Sequence, residues 1–240
     1  MENTTSNQEK IRLNLAFGLV CFAALFPVLT QAGLWIPANL SLVLKIICGL
    51  LLTQGSLFLA EILPFPLTNT PFVRVPDILG LKKLTKEELK RLGRIVFPVF
   101  ILVTLTSSLL SLLAKFMGAA QPSQQIVQMM MNAPWPVFFT IAFSAVLIAP
   151  VIEEIAFRRI LYSWFLKNLT PVAAITVVSL FFAMIHTTLW QIPSLFLLAV
   201  IFQLEYIRSG GKTTYTILMH AAFNGLTVLA TLALRLYQTV

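Results

Sequence analysis

Two histidines and one adjacent pair of glutamates are the side chains of this sequence that could carry out catalysis. His186 and His220 are the only histidines among the 240 residues, and both lie in strongly apolar stretches. Glu153 and Glu154 lie side by side in the apolar stretch IAPVIEEIAFRRI. On insertion scales, an ionisable side chain at the centre of a membrane helix costs about 2.5–3.5 kcal/mol. We therefore expect these four residues to form a functional site.

Helical spacing indicates which of these side chains can act together. Glu154 and Arg158 are four residues apart, so they share a helix face and can form an ion pair that orients the carboxylate. Glu153 lies about 100° around the helix from Glu154, so the two carboxylates need not have the same role. The spacing of four residues joins two further pairs, Phe182 with His186 and His220 with Asn224.

Two hydrolytic mechanisms fit two imidazoles and a carboxylate. In the first, Glu153, His186 and His220 are the three ligands of an open Zn²⁺ site whose bound water becomes the nucleophile. In the second, Glu153 is the general base on a water that His186 positions, while His220 and Asn224 donate hydrogen bonds to the oxyanion. Asn224 favours the second mechanism, because an amide is a good oxyanion donor and a poor zinc ligand. The sequence has no HExxH motif and no serine in a nucleophile elbow.

The composition indicates that a bilayer is the solvent of this chain. Hydrophobic residues make up 58% of the sequence and charged residues only 11%, whereas soluble domains carry about 25% charged residues. The net charge is +8, and the basic residues concentrate between the apolar stretches. That distribution is typical of membrane topology and not of a nucleic-acid-binding surface.

Seven apolar stretches are long enough to cross a bilayer, which requires about 20 mainly apolar residues. They lie at about 13–34, 40–63, 95–117, 136–164, 171–188, 192–208 and 214–236. The sequence therefore predicts an all-α, polytopic transmembrane helical bundle of about seven spans.

The longest hydrophilic stretch, about 64–94, predicts the orientation of the chain. It holds seven lysines and arginines against three acidic residues, and the positive-inside rule places such a loop in the cytosol. With seven spans, the N-terminus is then cytosolic and the C-terminus lies on the opposite side. We expect the basic segment 74–94 to anchor to anionic lipid, with recruitment of an acidic partner as the alternative.

Two local features of the polar residues carry further expectations. Thr85 precedes Glu88 by three residues, which is the N-cap signature of a short amphipathic helix at the interface, although a solvated linker fits equally well. Glu61 and Glu205 lie near span ends, where we expect each to snorkel or to pair, Glu205 with Arg208.

Counting residues from the turns tests whether the polar groups can lie at one depth. From Asn168, Glu153 is about 22 Å along one helix and His186 about 27 Å along the next. From Gly210, His220 is only about 15 Å deep. The first two side chains are therefore expected to lie level, and His220 needs a kinked or tilted helix to join them.

Three short motifs resemble those of the CPBP intramembrane proteases, a group that includes CAAX prenyl endopeptidases of the Rce1 type and bacteriocin-processing or immunity proteins. The motifs EExxxR, FxxxH and HxxxN stand here as Glu153–Arg158, Phe182–His186 and His220–Asn224. They occur in the family's order, each in a predicted span. The resemblance covers about residues 130–230, and residues 1–120 carry no family signal.

The resemblance implies a role for each motif residue. Glu153 is the catalytic glutamate, and His186 assists the water. His220 and Asn224 hold the oxyanion. Glu154 and Arg158 form a structural pair, and Phe182 supports the site. The sequence departs from the family at Arg159, where a glycine is frequent, and this change affects packing at the helix end but not the chemistry.

Together these observations predict a membrane-embedded endopeptidase. Residues 1–120 form an N-terminal region with three spans and the basic loop, and residues 130–236 form the protease domain. The substrate is a membrane-associated protein or peptide, and a requirement for prenylation does not carry over from the resemblance. The alternatives are a catalytically silent scaffold or immunity protein of the same fold and, with less support, a transporter, because intramembrane Glu and His also relay protons.

Overall fold

A computed structural model describes residues 39–67, 70–119, 125–186 and 189–238 of the chain. Within these ranges the backbone forms helices and turns and contains no strand. The prediction of an all-α bundle is therefore confirmed.

The N-terminal half of the described chain contains two long helices and several short elements. Its elements are α1 Leu42–Ile62, α2 Pro64–Leu67, a 3₁₀ turn Phe72–Arg74, α3 Val75–Ile78 and α4 Lys86–Phe116. The C-terminal half consists of α5 Gln125–Asn132, an interrupted helix Trp135–Phe165, α9 Pro171–His186, a 3₁₀ turn Leu189–Gln191, α10 Ile192–Arg208 and α11 Thr213–Gln238.

Five helices of the described residues are long and apolar enough to cross a membrane, and the chain is an integral membrane protein. They are Leu42–Pro66, Lys86–Phe116, Trp135–Phe165, Leu189–Arg208 and Thr213–Gln238. Helix α9 is apolar but has only 16 residues, or about 24 Å of rise, against a hydrocarbon core of about 30 Å. The predicted first span, 13–34, lies outside the described residues, so the count of seven stays a prediction.

The interrupted helix changes its hydrogen-bond pattern twice, although its sequence predicts one regular span over 136–164. It consists of α6 Trp135–Phe143, a π-helical segment Ser144–Ile148, α7 Ala149–Glu154, a second π-helical segment Ile155–Leu161 and α8 Tyr162–Phe165. Such π segments are rare and occur frequently at functional sites. Here they lie on both sides of the short α7 helix, whose last two residues are Glu153 and Glu154.

Helix α4 begins where the capping signature predicts and then continues much further. The Thr85 backbone N–H donates to Glu88 Oε2 at 2.7 Å, and the Glu88 N–H donates to Thr85 Oγ1 at 3.2 Å. From this cap the helix runs for 31 residues without a break. The prediction of a separate short interfacial helix is therefore wrong, because its residues are the first turns of the membrane helix itself.

Glu205 lies at the centre of a polar cluster at the α10–α11 end of the bundle. Its carboxylate accepts hydrogen bonds from Arg91 at 2.7 and 2.8 Å, from Arg208 at 2.9 Å and from the Tyr215 hydroxyl at 3.3 Å. The expected pairing of Glu205 with Arg208 is confirmed. The expectation for Glu61 is wrong: its side chain is buried and neither carboxylate oxygen has a hydrogen-bond partner among the described residues.

The segment before α4 is docked against the α10–α11 turn through Gly80. The Thr213 N–H donates to the Gly80 carbonyl at 2.9 Å, and the Thr213 hydroxyl donates to the Leu79 carbonyl at 2.6 Å. Gly80 has φ +72°, and a Cβ there would lie 2.6 Å from Thr213 Oγ1 and 2.8 Å from the Gly211 carbonyl. Glycine is therefore required at this position by both conformation and space.

A buried apolar cluster joins α4, α9, α10 and α11 beneath the histidines. It includes Val99, Ala183, Phe202, Met219 and Phe223. Because α9, α10 and α11 share this cluster and the interrupted helix packs against α11, the helices that carry the three motifs are held together as one unit.

Candidate active site

The structure brings the chemically reactive residues of three separate helices together. Glu153 Oε2 lies 3.3 Å from His186 Nε2 and 3.9 Å from His220 Nε2. The expected convergence of these side chains is therefore observed, including that of His220. The side chains of Glu153 and His220 are 11% and 6% exposed, whereas that of His186 is 30% exposed. The cluster is therefore open to its surroundings on the His186 side.

His220 is oriented by the second glutamate of the pair. Its Nδ1 lies 2.9 Å from Glu154 Oε1. When Glu154 is ionised its carboxylate can only accept, so Nδ1–H is the donor and Nε2 is directed towards Glu153. A ring nitrogen held by a carboxylate fixes which nitrogen faces the reaction.

His186 is oriented in the same sense by its own helix. Its Nδ1 lies 2.7 Å from the Phe182 carbonyl oxygen, which can only accept. Nδ1–H is therefore the donor, and Nε2 faces Glu153. The rings of Phe182 and His186 also stack at 4.2 Å between centroids. Phe182 thus supports the histidine through both its backbone and its ring.

Arg158 is wholly buried beside the reactive cluster. Its Nε lies 3.3 Å from Glu154 Oε2, and neither side chain is exposed. The guanidinium carbon lies 5.1 Å from the Phe182 ring centroid and 6.0 Å from that of Phe202. Aromatic faces attract a guanidinium, and a buried ion pair requires such compensation. The ion pair predicted from the spacing is therefore present.

Asn224 is held by a backbone carbonyl of the first π-helical segment. Its Nδ2 donates to the Ala145 carbonyl at 2.7 Å. In this segment the Ala149 N–H bonds to the Ser144 carbonyl, five residues back. The next bond of that series would join residue 150 to Ala145, but Pro150 has no N–H. The proline thus leaves free the carbonyl that accepts from Asn224.

The comparison with protein families identifies the domain that carries these residues. Residues 133–226 match the family model described as Type II CAAX prenyl endopeptidase Rce1-like. These residues form an Rce1-like domain of the CPBP type. The matched segment includes all three motifs, and the predicted family is confirmed. No curated protein and no solved structure matches the chain.

The Rce1-like domain does not have the geometry of a three-ligand zinc site. Two ligands about 2.1 Å from one tetrahedral zinc are about 3.4 Å apart, whereas Glu153 Oε2 and His220 Nε2 are 3.9 Å apart. Among the described residues, no group of three or more His, Cys, Asp or Glu side chains could hold a metal ion. The possible zinc site of Glu153, His186 and His220 is therefore not supported.

Two residues of the Rce1-like domain were not identified from the sequence. Phe202 packs its ring 5.3 Å from that of His220 and lies beside Arg158, and nothing in its apolar helix marks it out. Ala145 contributes only its backbone carbonyl oxygen. Its sequence signal is Pro150, because a proline within a helix has no N–H to donate to a carbonyl four or five residues earlier.

Proposed function

We propose that the chain is an intramembrane endopeptidase that hydrolyses a peptide bond of a membrane-associated protein or peptide. The observation that carries the proposal is the convergence of His186 Nε2 and His220 Nε2 on Glu153 Oε2. A buried carboxylate beside the acceptor nitrogen Nε2 of His186 needs a small hydrogen-bond donor that can bridge the two. Water supplies two O–H groups and retains a lone pair for attack.

In the proposed first step, this water donates to Glu153 Oε2 and His186 Nε2 and attacks the scissile carbonyl carbon. The new C–O bond forms as Glu153 takes one water proton, and the carbonyl electrons move onto its oxygen. The hydrogen bond from His186 to the Phe182 carbonyl keeps its Nε2 available as the acceptor.

The proposed oxyanion donors are His220 and Asn224. His220 is proposed to donate from Nε2 while its Nδ1–H donates to the Glu154 carboxylate at 2.9 Å, which orients the ring as the third member of a catalytic triad does. Asn224 has two N–H groups on Nδ2; one donates to Ala145, and the other is proposed to donate to the oxyanion.

In the second step the tetrahedral intermediate collapses. The C–N bond breaks, the carbonyl reforms, and the proton held by Glu153 passes to the leaving amine. Glu153 thus acts first as base and then as acid, and no covalent enzyme intermediate forms.

The test is Glu153→Gln, which keeps the shape of the side chain and removes the base. Protein termini in membranes from cells expressing each form are compared by proteomics. We expect termini that depend on the wild-type chain to disappear with Glu153→Gln and to persist with the exposed control Glu87→Gln. On an isolated substrate, the loss should be about 10²–10⁴-fold.

Retention of those termini by Glu153→Gln would contradict the proposal. If the variant also kept every cellular effect of the wild type, the chain would be a scaffold or immunity protein of the same fold. Activity should survive chelators, and metal analysis of the purified protein should find no stoichiometric zinc. Loss of activity with a chelator and its restoration by Zn²⁺ would instead support the zinc mechanism.

The form of the substrate is a separate part of the proposal. An apolar cavity of about 520 Å³ lies between α1 and the interrupted helix, and its wall includes Phe58, Val151 and Ile152. Because Ile152 directly precedes Glu153, a lipid chain attached to a substrate could occupy this cavity near the scissile bond. We propose a substrate anchored in the membrane, with prenylation as one form of anchor. Equal cleavage of a peptide with and without a farnesyl group would exclude prenyl dependence.

The basic segment is proposed to face the cytosol and to contact anionic lipid. Lys82, Lys83 and Lys86 are exposed and form no ion pair within the described ranges, and Phe72 and Val73, which precede this segment in the sequence, are 76% and 83% exposed. Basic and apolar side chains together are typical of a membrane interface. In the variant Lys82→Cys, the introduced thiol should react with an impermeant reagent only from the cytosolic side. Replacing anionic by zwitterionic lipid should weaken the association of this segment with the membrane.

A further inference from the structure

A groove lined by hydroxyl groups lies between α4 and α11 and is distinct from the apolar cavity near Glu153. Its volume is about 520 Å³. Six hydroxyl side chains line it, four on α4 and two on α11: Thr104, Ser107, Ser108, Ser111, Thr227 and Thr231. The remaining groove lining is mostly apolar, and the described lining of the other cavity includes two hydroxyl side chains, Thr140 and Ser144.

The groove continues the face of α11 that carries the proposed oxyanion donors. Phe223 forms part of its wall and lies between His220 and Asn224 in the sequence. Thr227 and Thr231 follow His220 by seven and eleven residues, which is close to two and three helical turns. They therefore lie on the same side of α11 as His220, about 10 and 16 Å further along the helix.

Two of the hydroxyls are positioned by a side chain behind them. Gln191 is almost wholly buried. It accepts a hydrogen bond from the Ser107 hydroxyl at 2.5 Å through Oε1 and donates to Ser111 Oγ at 3.0 Å through Nε2. These serines are therefore held by a partner from another part of the chain. The fold therefore fixes the position of this part of the polar lining.

The occupant that needs such a lining is a polypeptide in extended form. A peptide bond must leave the helical state to reach a catalytic base, and its N–H and C=O groups then lack partners at bilayer depth, at several kcal/mol for each group. Ser107, Thr227 and Thr231 already donate within the chain, but a hydroxyl oxygen has two lone pairs and can still accept from a backbone N–H. A hydrocarbon chain would gain nothing from them.

We infer that this groove binds an extended segment of the substrate polypeptide that adjoins the scissile bond. The inference rests on the proposed endopeptidase activity and adds where the substrate backbone lies. It predicts that the groove binds an extended peptide segment better than a helical one. Any lipid anchor of the substrate would then occupy the apolar cavity near Glu153.

The test uses the full chain with Glu153→Gln in vesicles of phosphatidylethanolamine and phosphatidylglycerol. The probe is a single-span leucine–alanine peptide with a photoreactive leucine at its centre, where Gly-Pro residues break the helix. A peptide without the break and a photoreactive phospholipid are the comparison probes. Cross-linked residues are mapped by mass spectrometry. We expect the broken peptide to label residues 104–115 and 223–234 more than either comparison probe does.

Matched variants on α4 separate the groove from the rest of the helix surface. Ser108→Leu fills the groove. Labelling of the groove residues by the broken peptide should then fall about tenfold, which corresponds to a loss of about 1.4 kcal/mol in binding free energy. Ser108→Ala, which only removes the hydroxyl, should show a smaller decrease. Thr106→Leu is the control, because Thr106 lies on the same helix, does not line the groove and bonds its own helix at Leu102. All three variants should elute from size-exclusion chromatography as the parent does.

Stronger labelling of the groove by the phospholipid, or labelling by the broken peptide that Ser108→Leu leaves unchanged, would overturn the inference. Because labelling requires no cleavage, its outcome is independent of the proposed activity. If the wild type cleaved peptides but the groove were not labelled, only the groove inference would fail. If the groove were labelled and the wild type cleaved nothing, the protease proposal would fail and the groove would stand as a peptide-binding site.

Discussion

Glu154 Oε1 lies 2.9 Å from His220 Nδ1, so the second glutamate of the pair holds a histidine that belongs to another membrane helix. Its other oxygen lies 3.3 Å from Arg158. Glu154 therefore joins the interrupted helix to α11 and determines which nitrogen of His220 faces Glu153. Substitutions of the two adjacent glutamates are thus expected to have different effects on the protein.

Glu154→Gln should destabilise the protein far more than Glu153→Gln does. It leaves the buried Arg158 guanidinium without its counter-charge, and breaking a buried ion pair costs about 3–5 kcal/mol. Thermal unfolding in detergent should show a lower midpoint for Glu154→Gln and a nearly unchanged midpoint for Glu153→Gln. Equal midpoints for the two variants would show that the Glu154–Arg158 pair contributes nothing to stability.

Pro150→Ala should weaken the hold on Asn224. The new N–H can bond to the Ala145 carbonyl, the acceptor that Asn224 now uses, so the amide loses its fixed position. We expect cleavage to decrease about tenfold without a loss of stability, because alanine is the better helix former. The measurement is kcat on an isolated substrate.

A double-mutant cycle with Asn224→Ala tests the stated cause of that decrease. If Pro150 acts through Asn224, the two effects should be strongly non-additive, with a coupling energy of about 0.5–3 kcal/mol. Simple additivity would mean that the proline affects the site by another route.

Gly80→Ala should destabilise the protein more than the matched change Gly118→Ala. Both glycines have φ +72°, but a Cβ at Gly118 meets no atom of the described residues within 4 Å, whereas one at Gly80 meets Thr213 and Gly211. Gly118→Ala should therefore cost only the conformational strain, about 1–2 kcal/mol. Gly80→Ala should add an overpacking cost of about 1–3 kcal/mol. Chemical unfolding curves of equal midpoint would exclude the tight docking of residue 80.

Glu205→Gln should lower stability, whereas Glu87→Gln should have no measurable effect. The Glu205 side chain is 4% exposed and accepts from two arginines and a tyrosine, so its loss should cost about 1–3 kcal/mol. The Glu87–Lys90 pair is exposed on both sides, where ion pairs contribute little. Raising the salt concentration should reduce the difference between the two variants only slightly, because the Glu205 cluster is partly shielded from solvent.

The sequence alone was sufficient to identify the membrane class, the position of most helices and the polar side chains that converge in the candidate site. Ionisable residues are so unfavourable in apolar helices that Glu153, His186 and His220 stand out without any structure. The capping box at Thr85 likewise marks the start of α4, because its geometry is local. It does not indicate how far a helix continues, and the separate interfacial helix was therefore a wrong prediction.

Only the tertiary structure decided how these residues are combined. The hydrogen bond from His220 to Glu154, the hydrogen bond from Asn224 to Ala145 and the burial of Glu61 each depend on where a second helix lies. Spacing along one helix predicts contacts on that helix, such as Glu154 with Arg158, because its geometry repeats every 3.6 residues. Contacts between helices depend on tilt, on π-helical segments and on packing of the whole bundle, and no local pattern records them.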